Sequence, residues 1–94
     1  MTDDQLDRAL RSIGMGCFVT HLPLFRDDRR STADIAAELG HLYTAKAATS
    51  RTTHARRIIA AGRVSDALHR VVASERVDPA FRQAAQQALR DTSK

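Results

Sequence analysis

Apolar residues recur along this chain at three- and four-residue intervals from one end to the other, which is the spacing of helix faces. Leu6, Leu10, Ile13 and Cys17 open the series, and Thr2 followed by Asp3 and Asp4 supplies a helix cap and an acidic first turn. The pattern predicts a first helix over residues 3–21. Gly14 and Gly16 inside it imply a bend or the close approach of another backbone. Phe18, Val19, Leu22, Leu24 and Phe25, grouped around Pro23, form the densest apolar cluster and the expected centre of the core.

A polar connection, Asp27-Asp28-Arg29-Arg30, leads to Ser31, with Asp34 three residues on, close to a capping box. A short second helix over 32–39 then carries Ile35, Ala36 and Leu39, and Gly40 suits the left-handed position past its end. Thr44 is placed to cap a third helix over 45–61, with Tyr43 and Ala48 as a hydrophobic staple. Its expected buried face is Ala48, Thr52, Ala55 and Ile59, with Ile58 beside them, and Gly62 stops it. Val64, Ala67, Leu68, Val71 and Val72 predict a fourth helix over 65–74, capped by Ser65 or entered through Gly62. Asp78-Pro79 starts a fifth over 79–90, on which Phe81, Ala84, Ala85, Ala88 and Leu89 follow at helical spacing, with fraying from Asp91 onward. No alternating segment competes as a strand. The expected fold is an all-α, single-domain bundle of about five helices with room for a helix-turn-helix.

Composition narrows the function classes. Ninety-four residues with 43% apolar and 28% charged content describe one small globular domain, with little space for a deep, water-excluded catalytic cavity. One cysteine, Cys17, excludes an intrachain disulfide and fits a reducing compartment. No apolar run spans a bilayer, so a cytoplasmic chain without membrane contact is expected. His21, His41, His54 and His69 lack metal-ligand spacing, and neither a phosphate loop nor a nucleophile elbow occurs. We expect no enzyme, metal or cofactor.

The net charge of +4 hides an uneven placement. The first fifty residues carry six basic and seven acidic side chains; the remainder carry nine and four. Between Glu38 and Asp66 there is no acidic residue, yet Lys46, Arg51, Arg56, Arg57 and Arg63 lie there with His41 and His54. On a helical wheel of the third helix, Lys46, Thr49, Ser50, Thr53, Arg56 and Arg57 fall opposite Ala48, Ala55 and Ile59. Such a face suits duplex DNA, because Arg and Lys reach phosphates or guanine edges and hydroxyls contact either. With three Phe and one Tyr, a stacking platform for single strands is missing.

A short helix, a glycine, a brief turn and a longer basic helix follow the order of a helix-turn-helix. Ile35-Ala36-Ala37-Glu38-Leu39-Gly40, then Ser50-Arg51 and Ala55-Arg56, resemble the C-terminal helix-turn-helix of sigma factors and related bacterial regulators over residues 31–59. The turn His41-Leu42-Tyr43-Thr44 is longer than the family's, and Thr52 stands where that pattern has an apolar residue. The resemblance implies a regulator in which Lys46, Thr49, Ser50 and Thr53 face bases while Arg51, Arg56 and Arg57 hold phosphates; Arg63, outside the matched residues, joins the candidate nucleic-acid-binding set from the acid-free basic stretch. The alternative is a helical interaction or dimerisation module, for which an acidic protein or a second copy is the partner and the alanine seam Ala84, Ala85 and Ala88 a close-packing face.

Overall fold

In the computed structural model, residues 1–92 are described and form helices α1 (Asp3–Ile13), α2 (Met15–Thr20), α3 (Leu22–Phe25), α4 (Thr32–Leu39), α5 (Ala45–Ala60), α6 (Val64–Ala73) and α7 (Pro79–Thr92). The architecture is all-α. Seven helices stand among the described residues where five are expected, because the predicted first helix divides into α1 and α2 and a separate short helix, α3, follows beyond residue 21. Gly14, at φ +86°, leaves helical geometry after Ile13, and the bonding ladder resumes at once as the Phe18 amide donates to the Gly14 carbonyl. A second interruption at His21 separates α2 from α3, whose first turn contains Pro23.

Local chemistry fixes most of the starts. Thr2 Oγ1 accepts from the Gln5 amide at 3.2 Å while Gln5 Oε1 accepts from the Thr2 amide, so α1 begins in a full capping box. Ser31 and Asp34 build the same reciprocal pair at α4. Thr44 Oγ1 accepts from the Ala47 amide at the start of α5, and Asp78 Oδ1 accepts from the Ala80 amide at the start of α7. Helix α6 differs from the expectation: it begins at Val64 behind Arg63, with no side-chain cap. Gly62 takes the positive φ that ends α5, whereas Gly40 is right-handed, at φ −62°. The turn after α4 instead continues helically, with the Leu42 and Tyr43 amides both donating to the Leu39 carbonyl. At the other end α7 runs through Asp91 and Thr92, past the expected fraying point, and Thr92 Oγ1 donates to the Ala88 carbonyl. Fraying beyond them lies outside the described residues.

Helix α5 is the axis of the bundle: α1, α3, α4 and α6 pack on it, while α7 covers α2 and α6. Leu6, Leu10, Ile13, Phe18, Phe25, Ile35, Ile58, Leu68 and Val71 are fully buried around it. Within α5 the buried stripe is Ala48, Thr52, Ala55 and Ile58, with Ile59 half-buried, so Ile58 rather than Ile59 is the core residue. Thr52 fills its apolar place by donating its hydroxyl to the Ala48 carbonyl at 2.8 Å, so its buried oxygen is paired. The expected apolar face of α7 contributes less: Ala85 is buried, Ala88 and Leu89 are partly so, and Ala84 is exposed.

Gly16 shows why α2 must be bare on one side. A Cβ there would lie 2.8 Å from the Phe81 ring of α7. Gly16→Ala is therefore expected to push the ring outward and loosen α7 from α2, costing roughly 1–2 kcal/mol in urea unfolding. Phe81→Ala in the same chain removes the clash, so the alanine at 16 should cost less there than in the parent; equal costs would contradict the contact.

Candidate nucleic-acid interface

Helix α5 has no acidic residue along its length, so its cations must find other partners or face solvent. The structure divides them. Arg51 lies on the flank toward α1, where its Nη1 donates to the Ile13 carbonyl at the C-terminal end of α1. Its guanidinium sits 4.2 Å above the Tyr43 ring centroid. Arg56 points to the opposite flank and donates from Nη2 to the Asp27 carbonyl at 2.7 Å and from Nε to the Phe25 carbonyl at 3.4 Å, closing the C-terminal end of α3. Orphan carbonyls at a helix end carry partial negative charge, so each arginine acts as a tertiary cap.

Arg63 is committed as well. It donates to the Met1 carbonyl at 2.7 Å, to Asp3 Oδ1 at 2.5 Å and to Asp66 Oδ2 at 2.5 Å, tying the start of α1 to the start of α6. Arg70 joins this cluster through Asp3 and Asp7. Hydrogen bonding from Arg63 holds the Asp3 carboxyl below its ordinary range, and Asp3 and Asp66 raise Arg63 in return.

Three of the eight residues singled out in the sequence, Arg51, Arg56 and Arg63, thus hold helix ends together, and Arg56 lies off the outward face assigned to it by the wheel. The other five share one stripe: Lys46, Thr49, Ser50 and Arg57 are exposed and Thr53 is half-buried. Lys46 and Thr49 stand in the first turns behind the Thr44 cap. Leu42, in the turn just before, is 64% exposed.

Cys17 is buried with a free thiol beside the Tyr43 hydroxyl, and that contact, with burial, pushes the phenol above its ordinary value. Among the described residues no group of three or more His, Cys, Asp and Glu side chains is placed to hold a metal ion. No helix among them is long and apolar enough to cross a membrane.

His21 packs edge-on against Phe25, with ring centroids 6.3 Å apart, and burial lowers its pKa. An unfolded imidazole titrates near about 6.5. Since the folded value is lower, the unfolded chain binds the proton first, and the contribution of His21 is full above about pH 6.5 and falls away as the pH drops. We expect thermal stability to decline between about pH 7 and 5, and His21→Leu to flatten that decline. An unaltered pH profile in the variant would assign the dependence elsewhere.

Fold and face together define an all-α bundle that presents one cationic, hydroxyl-bearing helix stripe. Comparison with protein families, characterised proteins and solved structures finds no match, so the site is read from its own residues.

Proposed function

We propose that this chain is a small regulator that binds duplex DNA, with α4 and α5 acting as a helix-turn-helix and α5 as the recognition helix. The observation that carries the reading is the acid-free stripe Lys46, Thr49, Ser50, Thr53 and Arg57, which faces outward along α5 while the buried stripe faces the core. Recognition helices meet base edges with their N-terminal residues. Thr49, Ser50 and Thr53 serve that role here, while Lys46 at the start of the stripe and Arg57 further along it take phosphates. With Arg51, Arg56 and Arg63 engaged inside the fold, each copy neutralises about two to three phosphates, which predicts a slope of log affinity against log salt near −2 to −3.

Fluorescence anisotropy of a labelled random-sequence duplex, titrated with the protein across a salt series, tests this directly. Binding at low salt with that slope is the expected result; absence of binding at low salt removes the reading. The interaction-module alternative rests on the exposed large apolar residues Met1, Leu42 and Phe81. Sedimentation velocity over a tenfold concentration range distinguishes it: a monomer throughout counts against self-association. A cytoplasmic setting accords with the regulator reading, because a lone thiol stays reduced there.

A further inference from the structure

The flank of α5 that turns toward α1 carries a groove that shares Arg57 with the outward stripe and otherwise lies apart from it. Helices α1 and α5 run in opposite directions, since Arg51 reaches Ile13 while Arg63, just past α5, reaches Met1. Between these two ties the helices part into an open groove of about 560 Å³. Arg8, His54 and Arg57 line its walls, with Met1, Ala9 and Ala60 among its apolar lining, and no acidic side chain borders it.

Its arginines differ from those that tie helices together. Arg51, Arg56, Arg63 and Arg70 each donate to a carbonyl or carboxylate of a neighbouring element. The side chains of Arg8 and Arg57 make no hydrogen bond or ion pair among the described residues, although both border one cavity. Two guanidinium groups line one groove, and His54 adds a further N–H donor. A guanidinium meets carboxylate or phosphate oxygens with paired, charge-assisted hydrogen bonds. The volume lies in the range of small-molecule sites, which combine an apolar surface with a few convergent polar groups.

We propose that this groove binds a small organic anion with an apolar body, its charged end held by Arg8 and Arg57 and its body resting on Met1, Ala9 and Ala60. Octyl phosphate, kept below its micellar concentration, is a suitable probe. Titrated into the full-length, ¹⁵N-labelled chain, it is expected to shift amide resonances of residues 5–12 and 54–61 with submillimolar half-saturation. Inorganic phosphate and octyl glucoside, each carrying half of the recognition chemistry, should bind about tenfold more weakly or less. Arg8→Gln with Arg57→Gln should raise the half-saturation about tenfold while leaving the remaining spectrum in place, because both side chains are exposed. Ala60→Glu, which sets a carboxylate on the groove lining, should weaken binding similarly and guards against misfolding of the double variant.

Shifts scattered over the chain or centred elsewhere, inorganic phosphate binding as tightly as octyl phosphate, or variants with unchanged half-saturation would each overturn the proposal. Because the probe meets the protein alone, groove-centred shifts in a chain that ignores duplex DNA would retain this site and remove only the regulator reading.

Discussion

Arg51→Ala is expected to lower the melting temperature by roughly 8–30 °C, more than any single substitution on the outward stripe of α5. The side chain makes two contacts at once: a charge-assisted hydrogen bond to the Ile13 carbonyl and a cation–π contact with Tyr43. Such a bond contributes about 1.5–3 kcal/mol and the ring contact about 0.5–1. Their joint loss is roughly 2–4 kcal/mol, and about 4–8 °C accompanies each kcal/mol in a domain of this size. Alanine also leaves the Ile13 carbonyl without its donor beside the positive-φ break at Gly14. Lysine at 51 should recover less than half of the loss, because an ammonium lacks the planar fork that stacks on a ring while bonding to an oxygen. Thermal unfolding by circular dichroism, with Lys46→Ala as the exposed control, measures the difference. If the two variants melt together, Arg51 is not a structural tie.

That result also bears on what the sequence could reveal. Helix positions were legible because capping residues and apolar spacing are local signals: Thr2, Ser31, Thr44 and Asp78 all cap as expected. The division of residues 3–21 into two helices was half legible. Gly14 and Gly16 marked a bend and a close approach, but which glycine did which depended on Phe81, far along the chain. Gly40 departs from the expected left-handed conformation because the continued turn after α4 meets its bonding needs in the right-handed region.

The cationic helix was legible as a pattern and illegible in its details. An arginine run without acidic neighbours reads as unpaired charge when only side-chain partners are considered. Here the partners are backbone carbonyls at the ends of α1 and α3, which any sequence supplies and none advertises. Wheel geometry separated inward from outward positions but not flank from face, and Arg51 and Arg56 occupy the two flanks. Arg8 drew no notice either, because only the antiparallel passage of α1 along α5 brings it to the same groove as Arg57.

Replacing Lys46 and Arg57 together by alanine is expected to weaken duplex binding about 60-fold at about 0.1 M salt and to flatten the log–log salt slope by about 1.8. Each cation paired with a phosphate releases counterions worth about 0.9 in slope, and the affinity deficit at a given salt follows from that change. The fold should be indifferent, since both side chains are exposed and the buried stripe Ala48, Thr52, Ala55 and Ile58 is untouched. Arg51→Ala and Arg56→Ala give the complementary pattern. Below their melting temperatures they should leave the salt slope unchanged, because their guanidinium groups are already held by carbonyls. Thr49→Ala and Ser50→Ala separate base from phosphate contact: they should narrow the preference among duplex sequences while preserving the slope, as hydroxyls carry no charge to neutralise. Anisotropy titrations on the same duplex at four salt concentrations give all these values. A slope that follows Arg51 and Arg56 rather than Lys46 and Arg57 would mean that those two arginines leave their carbonyls to meet the DNA, and the recognition face would then lie on the flanks of α5 instead of its outward stripe.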